Sequence, residues 1–378
     1  MKGYAAPETK AAAERARLLI EQAEALGEPP EDPLLLLSVL QCFWAANQVA
    51  FNGDVARELA MQFLATAEKQ GTTVPLMMGH RFMGVSLMLT GNIAQGRRHL
   101  DEATTLYDPA AHRPLATRFI VDARVASLSW RARALWLLGY PDAALADADH
   151  ALTDAREIRQ AATLMLALFL ASFTRIDCGN HTVATAEADE LLALADEKTA
   201  SQWKAQGMLN RGCLLVLTGK ASDAVQMLNS GIAAHRSTGS TIWLPLYLSY
   251  LGIAYAELHL FDDVWRCIGE AISAAETTKE TSFEADINRI AGEIALKSPE
   301  RDGAKAQAYF DRALTVACQQ QAKSWELRAA MSMARLWRDQ GKRAEARELL
   351  APVYGWFTEG FDTHDPKEAK ALLDELAV

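Results

Sequence analysis

The stretch Gly212-Cys213-Leu214-Leu215-Val216-Leu217-Thr218-Gly219-Lys220-Ala221-Ser222-Asp223-Ala224-Val225-Gln226-Met227-Leu228-Asn229-Ser230-Gly231 decides the fold. Gly212 sits inside an apolar run, a turn glycine follows at Gly219, and Ala224, Leu228 and Gly231 then recur at the spacing of one helix face. A small residue in the first segment lets a second helix approach closely. The turn glycine takes positive φ without a Cβ clash, and the later positions form the apolar stripe that packs back. The unit so predicted is one helical hairpin.

Outward from this stretch the pattern repeats. Ser172, Gly212, Gly252 and Gly292 lie 40 residues apart. Their turn residues are Gly179, Gly219 and His259, with Gly91, Gly139 and Gly341 in the units outside that run. The small residue after the turn recurs as Gly96, Ala144, Ala184 and Ala346, with Val264 the exception. A single hairpin cannot bury both faces, so the units must stack on one another. Seven units are expected over residues 73–357. Residues 1–72 hold a helix from Glu8 to Leu26 and a degenerate unit around Ala45 to Ala67, whose phase slips after Asn52-Gly53. The spacing from Gly84 to Ala132 is 48, and the excess is a loop from Leu106 to Pro114. Residues 358–378 read as a cap, with a helix from Lys367 to Leu376, Pro366 in its first turn and an Asp or Thr as N-cap. No alternating strand pattern of useful length occurs. The expected fold is therefore all-α: one right-handed superhelical solenoid over residues 1–378, built of tetratricopeptide-like hairpins. Its period of about 40 exceeds the roughly 34 residues of the commonest such unit, which implies longer helices around the same turn.

Composition excludes several classes. Lys+Arg 38 against Asp+Glu 48 leaves a net charge of −10, which disfavours a nucleic-acid backbone or an anionic lipid surface as partner. No run approaches the roughly 18 continuous apolar residues of a membrane span. The five cysteines, Cys42, Cys178, Cys213, Cys267 and Cys318, are scattered through apolar helical stretches and read as reduced core residues of a cytoplasmic protein.

The eight histidines form no metal-binding pair at helical spacing. Asp147, His150 and Asp154 share a helix face, but that spacing reads as a solvated charged face. Cys178 beside Gly179-Asn180-His181 reads as a helix end, and no Gly-x-Ser-x-Gly elbow is present. No catalytic residue, metal or cofactor is expected.

The segments Ala322 to Trp337, Gln340 to Arg347 and Leu349 to Thr363, with Gly3 to Glu8 and Ala134 to Pro141, carry a resemblance spanning nearly the whole chain. The chain resembles the C-terminal region of large bacterial signalling proteins whose upstream parts are a class III adenylate/guanylate cyclase or a winged-helix regulator, followed by a predicted ATPase. The resemblance implies a helical sensor or scaffold that relays to a signalling domain in cis or in trans. Gly219-Lys220 and Gly341-Lys342 are followed by Ala221 and Arg343, so neither completes a phosphate loop, and no cyclase or ATPase activity carries over. The unpaired first helix is expected of a piece of a longer protein, or of a gene that kept only the repeats.

In tetratricopeptide arrays the first helix of each hairpin lines the concave surface, and positions three before and one and four after the small residue point inward. This frame selects Arg81, Met88, Ser129, Arg133, Trp136, Phe169, Phe173, Ile176, Arg289 and Arg335. Such a wall, apolar and aromatic in the middle with arginines toward its ends, suits a protein segment, a peptide or a small amphipathic effector bearing carboxylate or phosphate. Trp203, Trp243 and Trp265 fall outside the frame and read as packing residues. The rival reading is a self-association array, a homodimer whose concave surface stays empty.

Overall fold

The computed structural model describes residues 34–377 and, ahead of them, only positions 11, 12, 14–16, 18, 19 and 22. The expected helix from Glu8 to Leu26 thus lies for the most part outside the described residues. The remainder is helix and turn, with no strand among the described residues.

Eight hairpins follow one another: α1 (Leu35–Val49) and α2 (Gly53–Gln70), α3 (Thr73–Leu89) and α4 (Ile93–Thr105), α5 (Ala123–Leu137) and α6 (Pro141–Ile158), α7 (Ala161–Asp177) and α8 (His181–Glu197), α9 (Ser201–Leu217) and α10 (Ala221–Ser237), α11 (Leu244–Glu257) and α12 (Phe261–Thr278), α13 (Glu284–Lys297) and α14 (Gly303–Gln320), α15 (Lys323–Asp339) and α16 (Arg343–Tyr354). A last helix, α17 (His364–Leu376), closes the array. It begins three residues earlier than the sequence suggests, with Thr363 as the extended N-cap residue and Pro366 in the first turn. The turn positions behave as their chemistry requires: Gly91, Gly139, Gly179, Gly219 and Gly341 all have positive φ, and His259 adopts the same conformation at φ 60°.

The hairpins close where the small residues permit. A Cβ on Gly96 would lie 2.6 Å from the Gly84 carbonyl oxygen and 2.9 Å from the Met88 nitrogen, so α3 and α4 touch backbone to backbone. Gly96→Ala is therefore expected to lower the unfolding free energy by about 1–3 kcal/mol, because neither partner can rotate away. Urea unfolding checks this, and an unchanged midpoint would rule out the contact.

The two helices of each hairpin have different surroundings. Second helices bury one stripe, as α10 does with Ala224, Leu228, Gly231 and Ile232. First helices bury more, and those of the middle hairpins are buried on nearly every side; α7 buries an unbroken run from Ala167 to Asp177. The reason is a seam between successive turns of the superhelix. The Val49 carbonyl, at the end of α1, accepts from the Thr241 and Ile242 amides at 3.0 and 3.2 Å, just ahead of α11. The Leu89 carbonyl accepts in the same way from Thr281 and Ser282 ahead of α13. Ser324 Oγ, at the start of α15, donates to the Trp136 carbonyl 188 residues earlier. The His364 amide of α17 donates to the Cys178 carbonyl. The first helices of the first four hairpins, α1, α3, α5 and α7, thus end against the starts of α11, α13, α15 and α17, each five hairpins on, where terminal carbonyls meet donors at a helix start.

One cysteine departs from expectation. Cys178, Cys213 and Cys267 are buried and Cys42 is half-buried, but Cys318 is exposed, because it lies off the inward stripe of a second helix, α14. All five are free thiols.

Candidate functional site

The superhelix closes on itself along this seam. An aromatic and ionic plug fills its middle and separates two cavities.

The plug is built around Asp177 at the end of α7. Its carboxylate pairs with the buried Arg133 guanidinium, and Arg328 approaches it at 3.7 Å while donating to the Asp177 carbonyl at 2.9 Å. Arg328 also pairs with Asp365 at 2.8 Å. Rings cover these charges: Arg133 lies 4.1 Å from the Phe173 centroid, and Arg328 lies 4.9 and 5.1 Å from those of Trp136 and Trp325. Trp243 stands edge-on to Phe173 at 4.7 Å. Burial pushes the Asp177 carboxyl above its ordinary range despite both arginines.

The first cavity, of about 120 Å³, lies on the N-terminal side of the plug. Gln41, Trp44 and Gln48 come from one face of α1, Arg81 and Val85 from α3, Trp130 from α5, Phe169 from α7, and Gln202, Trp203 and Gln206 from α9. Ile242 and Trp243, on the far side of the seam, complete it. Another wall is Ile120 and Val121, from the long connection between α4 and α5. That connection is fastened by side-chain amides: Gln41 Nε2 donates to the Phe119 carbonyl, and Gln160 Nε2 donates to the Ala116 and Ile120 carbonyls.

Within these largely apolar walls three buried polar atoms have no hydrogen-bond partner: Gln41 Oε1, Arg81 Nη1 and Gln206 Oε1. Arg81 is 3% exposed. Burial lowers its pKa to about 10, offset only in part by the charge of Asp122. Asp122 is engaged elsewhere, accepting from the Tyr107 hydroxyl at 2.6 Å and from the Arg124 and Val125 amides at the start of α5. A buried guanidinium and two buried acceptors left open cost about 1–3 kcal/mol each. Concentrated in one cavity, they are the pattern of a polar site awaiting a ligand.

The second cavity, of about 320 Å³, lies beyond the plug between α7, α11, α13, α15 and α17. Its charges are already matched: Arg289 pairs with Asp286 and Glu293, and Arg335 with Glu368.

The ten residues selected from the sequence divide accordingly. Arg81 and Phe169 line the first cavity, while Ile176, Arg289 and Arg335 line the second. Arg133, Trp136 and Phe173 form the plug, and Met88 and Ser129 are buried away from both cavities. The frame passed over Gln41, Gln48, Gln202, Trp203, Gln206 and Trp243, which lie nearer the helix starts or in the degenerate repeat. A signal existed: Gln41, Trp44 and Gln48, and again Gln202 and Gln206, put glutamine at one-face spacing in first helices. Among the described residues no group of three or more side chains is placed to hold a metal ion, and no helix is long and apolar enough to cross a membrane.

No protein-family model and no curated protein sequence matches the chain. Solved structures do. A Rap protein complexed with competence and sporulation factor superposes with a TM-score of 0.65 over 97% of this chain and 95% of its own, at 14% identity. The fold is tetratricopeptide-type. NprR in complex with its cognate peptide NprX matches 90% of this chain and 94% of its own with a TM-score of 0.61 at 12% identity. The Rap conjugation gene regulator of plasmid pLS20, in complex with the Phr* peptide, matches 99% and 94% with a TM-score of 0.57 at 11% identity. At these identities the likeness concerns the tetratricopeptide fold.

Proposed function

We propose that this tetratricopeptide solenoid is a non-catalytic peptide sensor whose binding site is the first cavity. The observation that carries the reading is the set of unpartnered polar atoms, Arg81 Nη1 with Gln41 and Gln206 Oε1, inside apolar and tryptophan-rich walls. Unpartnered amide oxygens on residues that line a cavity suit a ligand with N–H donors, and indole faces suit apolar side chains. The peptide complexes among the structural neighbours support the same reading. The output proposed is relay to a cyclase, ATPase or transcription-regulator domain, in cis or in trans, and rests on the resemblance of the C-terminal segments.

Trp44, Trp130, Trp203 and Trp243 all line the cavity, so intrinsic fluorescence should report occupancy directly. Titration with a randomised pool of short apolar peptides is expected to shift that emission and raise the melting temperature. Trp203 is half-buried and its one ring contact is Phe169 at 6.3 Å, so Trp203→Ala should spare the fold. The same variant should weaken binding by about tenfold or more. A wild-type protein that responds to no peptide in the pool would sink the reading.

A further inference from the structure

We infer that the first cavity takes a carboxylate-bearing end of an extended peptide, with the carboxylate on Arg81 and the preceding amide N–H groups on Gln41 and Gln206. The inference rests on the peptide-sensor reading above and adds which part of the peptide enters.

Charge bookkeeping in the cavity leads to it. Arg81 Nη1 is a buried donor without an acceptor, and no ion pair to Arg81 occurs among the described residues. An arginine stays protonated even here, so an occupant must supply the counter-charge. Gln41 Oε1 and Gln206 Oε1 are buried acceptors without donors. An occupant must therefore bring an anion and N–H groups together. A fully ionised phosphate offers only acceptors, and a fatty acid has a carboxylate but no N–H. A peptide carries both within one or two residues. Size agrees: about 120 Å³ of free space is well below the roughly 300 Å³ or more of an enclosing ligand pocket, so the cavity receives an end and does not wrap a long chain. The walls beside Arg81, among them Trp44, Val85, Trp130 and Trp243, are apolar and would strengthen a charge-assisted bond by excluding water.

The carboxylate has two sources, a free C-terminus or a terminal-region Asp or Glu side chain. The test uses one pool of short apolar peptides synthesised in three forms: free C-terminal acid, C-terminal amide, and amide with Glu at the last position. Each is titrated into the wild-type full chain and into Arg81→Gln, reading tryptophan fluorescence and melting temperature. The expected result is that the wild type binds the free-acid pool at least about tenfold tighter than the plain amide pool. Arg81→Gln should bind both equally, while its peptide-free melting temperature stays level or rises, since an uncompensated buried charge has been removed. Should the Glu-bearing amide match the free acid, the inference stands with a side chain as the source. Equal wild-type affinity for acid and plain amide overturns it while leaving the peptide-sensor reading intact. A preference for the acid that survives in Arg81→Gln, together with a lowered melting temperature, also overturns it by making Arg81 structural. No response to any pool overturns both.

Discussion

Asp177→Ala is expected to lower the unfolding free energy by about 3–5 kcal/mol, the cost of stripping the counter-ion from a buried pair. The carboxylate stands between Arg133, itself 1% exposed, and Arg328, and its removal leaves both guanidiniums facing rings in the middle of the superhelix. The damage should spread beyond the pair. Arg328 also bonds the Asp177 carbonyl, so the plug joins the end of α7 to α15 across the seam. Urea unfolding of Asp177→Ala against the wild type measures the effect. A double change of Arg133→Met with Asp177→Leu should recover most of the loss, because a packed apolar pair avoids the desolvation that the ions suffer. If the single variant unfolds within about 1 kcal/mol of wild type, the plug is only space-filling.

Glu280→Gln should act in the opposite direction and with pH. Glu280 is fully buried without a cation, and its two carboxyl oxygens each lie 2.9 Å from the Trp243 amide that donates to them. Burial pushes its pKa from the ordinary 4.5 up to about 8, against the pull of that hydrogen bond. An acid raised in this way is protonated in the folded state and ionised in the unfolded state between those two values. Its stabilising contribution is therefore complete below pH 4.5, is lost as pH rises toward 8, and changes no further above it. The slope is about 1.4 kcal/mol per pH unit from this group. Above pH 6.5, where His235 no longer contributes a slope, urea midpoints at pH 7, 7.5 and 8 should decline for the wild type and hold level for Glu280→Gln. The variant should thus be more stable by several kcal/mol at pH 8. Parallel declines would assign the slope to other groups.

His235 sets the acid limb at the same place in the fold. It is 1% exposed, its Nε2 donates to the Ile242 carbonyl at 2.9 Å, and burial lowers its pKa to about 4. Its contribution is present above pH 6.5 and is lost as pH falls through 4. Residues 240–243 are held by His235, by Glu280 and by the Val49 carbonyl, and they carry Ile242 and Trp243 into the first cavity. The wall of the site on the far side of the seam is thus anchored through two groups whose charge changes with pH.

The hairpins were legible in the sequence because they rest on local steric rules. A positive-φ turn at Gly219 and a close approach at Gly212, where a Cβ would lie 2.7 Å from Leu228, depend on residues within one unit. The inward frame also follows from helix geometry, and it brought Arg81, Phe169, Arg133 and Trp136 into view. The division of those residues among a cavity, a plug and a second cavity was not legible. Arg133 finds Asp177 44 residues away, and Arg81 finds nothing, yet both lie on the inward face of their first helices, Arg81 three before its small residue and Arg133 one after.

The repeating hairpin, its turn and the apolar stripe that makes units stack are written in the residues themselves, since each follows from spacing and from the space a side chain requires. Folding in three dimensions adds that the superhelix meets itself after five hairpins, and so which inward residues are sealed and which line a cavity. The seam is made largely by backbone groups, carbonyls such as those of Val49 and Leu89 meeting amides such as those of Thr241 and Thr281. Every residue type but proline carries both groups, so no pattern of side chains announces where they will meet.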